Sequence, residues 1–363
     1  LIRVRACSRT ASLAESMTDT TAASPSLDSD FAPLALRSFA LSVVGLGFLF
    51  VLNNYLIFWQ DWPGLSNLFA HQGWFGFDPL RKPLSGLSIT LGWVQLASYL
   101  VLVLGVIGFV IKTPQRLMHV EAARLGAIAA YIVRAAFWAV FIVGLGDAIM
   151  SFLRVEGFLG YFVGADLEKQ LGQSRFRGTY FHMPLIGLAC VIAYFKKTLG
   201  FSWLALLVVV AELQIVIARF VFSYEQAFMG DLVRFWYAGL FLFASAYALV
   251  EEGHVRVDVM YAGFGPRGKA WVNILGCVLL GVPLCWVIIS LGMWSKAAVI
   301  NSPILAFETT QAGFGMFVKY LMAGFLAVFA VSMLVQFMNY FLANAAELRE
   351  EPGRPARPAG LND

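Results

Sequence analysis

The sequence predicts an all-α, polytopic membrane protein of about eight transmembrane helices, with both termini in the cytoplasm. Three observations lead there. The 363 residues are 60% hydrophobic and 13% charged, whereas a soluble domain is nearer half apolar and a quarter charged; the mean hydropathy is +0.74. Apolar runs of about 18 residues or more, each long enough to cross the hydrocarbon of a bilayer, recur along the chain. Lysine and arginine gather in alternate connectors.

The opening "LIRVRACSRTASLAES" precedes the first methionine, Met17, and residues 1–16 read as lying upstream of the true start. The following "TDTTAASPSLDSD" is rich in Ser, Thr and Asp and lacks apolar residues to bury, so a disordered tail is expected over 1–35. No cleavable signal peptide is expected, because the first apolar run is itself long enough to span. Spans are expected at 36–60, 88–111, 125–153, 179–195, 201–222, 232–250, 270–295 and 316–342. The fourth is short, and only "KKTLG" parts it from the fifth. These two read either as a tight helical hairpin or as a pair with one re-entrant member. Pro283 should kink the seventh span, since a mid-helix proline removes one backbone hydrogen bond. A second disordered tail is expected over 346–363.

Cytoplasmic connectors carry the positive excess. With the N-terminus inside, that side holds Arg37, then Lys112, Arg116 and Arg124, then Lys196 and Lys197. Arg256, Arg267 and Lys269 follow, and finally Arg349, Arg354 and Arg357. Fewer cations fall outside, among them Arg154, Lys169, Arg175 and Arg177. The net charge of +4 is therefore a matter of topology, and no nucleic-acid partner is implied.

Chemistry-bearing patterns are sparse. Cys7, Cys190, Cys277 and Cys285 have no metal-type spacing, and three of them lie in apolar runs, so buried thiols are expected. A membrane cytochrome needs paired histidines deep in facing spans. Of His71, His119, His182 and His254, only His182 is near a span, at its edge. No P-loop, nucleophile elbow, HExxH or Rossmann glycine pattern occurs. Neither enzymatic activity nor a cofactor is expected.

Charges inside the bilayer are functional candidates, because each costs at least ~2.5–3.5 kcal/mol on insertion scales. Glu212 lies mid-span, seven residues before Arg219 and on the same helical face. One reading is a cation or proton site. The other, preferred because a lone carboxylate makes a poor ion site, is an interhelical hydrogen bond with Arg219 reaching to the interface. Arg134 and Asp147 share the third span, each off-centre, and read as pins that set its depth.

Between the sixth and seventh spans stands "EEGHVRVDVMYAGFGPRGKAW". His254, Arg256 and Asp258 alternate with valines, so an extended piece would present the three polar side chains to one side. Read physically, the island is a topology signal and an interaction surface. The stretch "RFVFSYEQAFMGDLVRFWYAGLFLFASAYALVEEGHVRVDVMYAGFGPRGKAWVNILGCVLLGVPLCWVIIS" resembles the small, DctQ-type membrane subunit of tripartite ATP-independent periplasmic (TRAP) transporters. That family has four spans. An Arg-aromatic pair closes the first, matched by Arg219-Phe220. An acid opens the second, and a His-[Val/Ile]-Arg-Val-Asp pentad follows, with a helix beginning near Lys-Ala-Trp. "SPILAFETTQAGFGMFVKYLMAGFLAVF" is similar to the stretch before the fourth span, with Glu308, a glycine pair and Lys319. Asp231 stands where the family more often has Glu; either acid can cap a helix N-terminus.

The resemblance covers about 199–345 and leaves 36–198 as an N-terminal extension of about four helices. It implies a non-catalytic scaffold in a sodium-coupled solute importer. The partners it implies are a large elevator-type permease subunit and a periplasmic solute-binding protein, all in or at the bacterial inner membrane. His254, Arg256, Asp258, Arg219, Glu212, Asp231, Glu308 and Lys319 are the candidate interface or structural residues. A structural subunit of another membrane complex and a self-sufficient eight-span carrier remain as alternatives. Against the carrier stand the few intramembrane charges and the lack of duplicated halves with broken helices.

Overall fold

The structure, a computed structural model, describes residues 31–80, 82–196, 201–250, 261, 263–310 and 314–352. Among them every regular element is helical. The chain forms α1 (Phe31–Trp59), α2 (Gly64–Gln72), α3 (Gly86–Lys112), α4 (Met118–Val155), α5 (Leu159–Val163), α6 (Ala165–Leu171) and α7 (Ser174–Arg177). A π turn (Gly178–His182) leads into α8 (Met183–Phe195). There follow α9 (Phe201–Val221), α10 (Ala227–Val250) and α11 (Pro266–Gly276), a second π turn (Cys277–Gly281), α12 (Val282–Met293), α13 (Asn301–Ala306) and α14 (Lys319–Leu348).

Among the described residues, seven helical runs are long and apolar enough to cross a membrane: Phe31–Trp59, Gly86–Lys112, Met118–Val155, Ser174–Phe195, Ala227–Ser245, Pro266–Met293 and Lys319–Leu348. The remaining expected span, 201–222, is helical over Phe201–Val221. The short run expected at 179–195 is longer in the structure, where the π turn joins it to α7 in one run of 22 residues, Ser174–Phe195, long and apolar enough to cross a membrane.

Local chemistry sets the helix boundaries. α1 stops before "DWPG", where Asp61 and Gly64 take left-handed backbone (φ 54° and 77°). The Ser85 hydroxyl caps α3 by accepting from the Ser88 N–H at 3.2 Å. Thr113-Pro114 ends α3, since proline cannot continue the ladder. Each π turn sits just ahead of a proline, Pro184 or Pro283. A proline ring clashes with the carbonyl four residues back. The wider turns, closed by Met183 N–H to Gly178 C=O and by Val282 N–H to Cys277 C=O, give that carbonyl room. The kink expected at Pro283 thus takes the form of a π turn.

The centre of the bundle is the pair α4 and α14. Around it α4 packs against α8 and α10, while α14 packs against α1, α10, α11 and α12. α1 also carries α3, whose remaining surface is largely exposed and apolar, and α9 rests on α10. Small residues allow the closest crossings, as expected where van der Waals packing drives helix association. At Gly144 a Cβ would collide with the indole of Trp236, whose Nε1–H reaches across to the Val140 carbonyl at 3.2 Å. Cys277 and Cys285 are buried free thiols, as expected, and Cys190 is half-buried. Helices from before and after residue 200 thus share one core, built on α4 from the first part and α14 from the second.

A buried polar junction as candidate functional site

The largest polar constellation was not among the sequence-level candidates. Along α4, Asp147, Ser151 and Arg154 recur at intervals of four and three and so share one face. The α7–π-turn segment brings Arg177 and His182 against that face. α14 brings Tyr320, and the loop before α14 brings the backbone of Gly315, Met316 and Phe317. Asp147, Ser151, Arg177 and His182 are fully buried, at 0% exposure.

Each atom of the Asp147 carboxylate has work. Oδ1 lies 2.6 Å from Arg177 Nε and 2.7 Å from His182 Nε2, and Oδ2 accepts the Phe317 N–H at 2.8 Å. The Nε contact is an ion pair by proximity, with its N–H poorly aligned for a hydrogen bond. Arg177 donates through Nη2, to the Asp147 carbonyl at 2.8 Å and to Ser151 Oγ at 3.0 Å. Because an ionised Asp147 only accepts, the His182 proton belongs on Nε2. Nδ1 then accepts from the Tyr320 hydroxyl at 2.8 Å. Arg154 donates to the Gly315 carbonyl at 3.0 Å, and both arginines lie over the Phe317 ring, at 4.3 and 4.9 Å. Beside them Asp231 on α10 accepts the Met316 N–H at 3.1 Å. Gly178 is required at this crossing, since a Cβ there would strike Phe307.

The same two central helices are tied at their other end. Arg37 on α1 grips Glu121 on α4 with two bonds, at 2.9 and 2.6 Å, and donates to the Thr113 carbonyl at 2.8 Å. Such a bidentate, charge-assisted pair is the strong kind. The Glu351 carboxylate, just beyond α14, accepts the first N–H groups of α4, from Met118 at 3.0 Å and His119 at 3.2 Å. It sits where the helix dipole favours an anion. Outside the spans, Tyr224 donates to Glu156 at 2.6 Å. Desolvation and that carboxylate push its phenol up to about 12, so it remains a donor throughout the physiological range.

The sequence-predicted residues are dispersed. His254, Arg256 and Asp258 lie outside the described residues. Glu212 is on α9, exposed among Val209, Leu213 and Val216, and does not meet Arg219. Arg219 instead holds Glu225 through its Nε at 2.8 Å, both side chains about half-exposed. Asp231 is buried and bonds the loop before α14 in place of its own helix N-terminus; Arg234 is 3.5 Å away. Glu308 and Lys319 form an exposed ion pair at 2.5 Å across the same loop. Asp147 does not pin its helix to an interface, as its charge is neutralised inside the bundle by Arg177.

The junction can hold helices in place but has little to offer a substrate. Its acceptors are saturated and its side chains are shut off from solvent. Among the described residues, no group of His, Cys, Asp and Glu is arranged to hold a metal ion. Compared with known families, residues 205–346 match the family described as "Tripartite ATP-independent periplasmic transporters, DctQ component". No curated protein and no solved structure matches the chain.

Proposed function

We propose that this chain, a DctQ-type TRAP small permease subunit of the bacterial inner membrane by its residues 205–346, works as a rigid scaffold without chemistry of its own. In this role it braces the fixed part of a large, sodium-coupled, elevator-type permease subunit, to which a periplasmic solute-binding protein delivers the substrate. The observation that carries the scaffold reading is α9. This helix rests on α10, exposes Leu206, Val209, Leu213, Val216 and Phe220, and holds the Glu212 carboxylate in their midst. A charge facing hydrocarbon costs at least ~2.5–3.5 kcal/mol, and a donor on a partner helix removes that cost. Between α9 and α10 an open apolar groove, lined by Ile217, Phe222 and Met229 among others, continues the same face.

With α9 counted as the eighth span, both termini lie on the side richer in Lys and Arg, the cytoplasm. His254, Arg256 and Asp258 then form a cytoplasmic brace between the sixth and seventh spans. Co-expression with the large subunit tests this reading. Glu212→Lys should sharply reduce the large subunit that co-purifies in mild detergent, while leaving the thermal midpoint of the isolated chain unchanged. Solute uptake in proteoliposomes by this chain alone, at the rate of the complete system, would overturn it.

A further inference from the structure

At the end of the bundle where α1 and α12 finish and α3 begins, a cavity of about 520 Å³ opens beneath α2. Its volume falls within the roughly 300–1,000 Å³ typical of small-molecule sites. The walls change character with depth. At the rim stand Ser66, Asn67, Ser295 and Lys296, all exposed. One to two turns down α1 and α3 are Asn53, Asn54 and Gln95, exposed by only 4%, 7% and 1%. At the floor Phe50 and Trp286 meet edge to face, 6.0 Å apart.

The buried amides are fixed in place. Gln95 Oε1 accepts the Gly64 N–H at 2.9 Å, and Gln95 Nε2 donates to Asn53 at 3.0 Å. Asn54 Nδ2 donates to the Met293 carbonyl at 2.6 Å. A primary amide has two N–H donors, and Gln95 and Asn54 each use one of theirs in these bonds. The second remains for an acceptor in the cavity. Among the described residues of the lining, Lys296 is the one that is charged and none is a carboxylate. Tyr55, Trp59 and Trp294 are exposed at this end of the helices, as in an aromatic belt at headgroup level.

We infer that this cavity binds one phospholipid with an anionic headgroup. The order cation, donor-rich amides, aromatic floor follows the order phosphate, ester carbonyls, acyl chain in such a molecule. A free anion would use the rim and leave the apolar floor empty. A neutral hydrocarbon would leave the amide donors unmet, at the cost of burying unsatisfied polar groups. The inference stands apart from the scaffold role, because it concerns this chain alone.

The full chain, purified in mild detergent and exchanged against mixed micelles, is examined by native mass spectrometry with phosphatidylglycerol or phosphatidylcholine. The wild type should retain one phospholipid and favour phosphatidylglycerol several-fold. Lys296→Glu should abolish that preference, and Ser66→Trp, which blocks the exposed rim, should lower retention of both lipids. Thermal unfolding provides the second measurement, in which phosphatidylglycerol but not inorganic phosphate should raise the midpoint of the wild type. Equal retention of the two lipids by the wild type, unchanged retention in both variants, or equal stabilisation by inorganic phosphate would each overturn the assignment.

Discussion

Removing the charge of Asp147 exposes how the buried junction is balanced. Asp147→Asn keeps an oxygen for the Phe317 N–H, now 2.8 Å from Oδ2, but leaves the Arg177 cation with only neutral acceptors, the residue-147 carbonyl and Ser151 Oγ. Arg177 is fully buried and its Nη1 already lacks an acceptor among the described residues. Breaking a buried pair from one side costs about 3–5 kcal/mol, and this variant should fall in that range. Arg177→Met leaves the Asp147 carboxylate both its hydrogen-bond donors, His182 and the Phe317 N–H, but not its cation, and should cost about 3 kcal/mol, the lower end of the range. The double variant has no stranded charge. Its cost should fall short of the sum of the two by about 2–3 kcal/mol, the coupling expected of groups in direct contact. Reversible denaturation in mixed micelles, followed by far-ultraviolet circular dichroism, measures all three. Costs that add to within about 0.5 kcal/mol would show independent sites and refute the paired junction.

The other end of the central pair has its own test. Glu351→Ala removes the acceptor for the first amides of α4 and should lower stability by about 0.5–2 kcal/mol in the same assay, with α-helix content unchanged. Single cysteines near Arg267 and Arg354 should resist membrane-impermeant thiol reagents in intact spheroplasts, while positions near Arg175 and Ser302 should label; labelling at Arg267 from outside would reverse the proposed orientation. Arg256→Ala should reduce assembled complex without moving the solute concentration that half-saturates uptake. A several-fold change in that concentration at normal complex yield would put the island at the transport site instead.

Long apolar helices announce themselves because the bilayer demands one feature of them, a continuous hydrocarbon surface. The run expected at 36–60 is α1 at Phe31–Trp59, and that expected at 88–111 is α3 at Gly86–Lys112. The fourth span looked weak because Arg177 and His182 interrupt its hydropathy. The fold extends it to Ser174 by pairing Arg177 with Asp147, a residue 30 positions earlier, and hydrogen-bonding His182 to the same carboxylate. Periodicity within one helix cannot show such a pairing between helices. A signal was still present: an acid in the third span and an Arg just ahead of the fourth are opposite charges with few other places to go. The short helices α2, α5, α6 and α13 left no signal, since none has an apolar stripe long enough to stand out. Glu212 was legible as an intramembrane charge in search of a partner; that it lies exposed on α9 among apolar side chains required the neighbours of α9 to be known.

The exposure of α9 has a consequence for how the protein is made. Every other long helix is held against at least one of the two central helices or against α1, whereas α9 leans on α10. Without the partner proposed above, the chain presents one helix, packed on α10, with a carboxylate turned outward among apolar side chains. Once α9 is covered, the same helix is among the hardest to extract. On the scaffold role proposed above, Glu212 makes the stability of α9 in the bilayer depend on assembly.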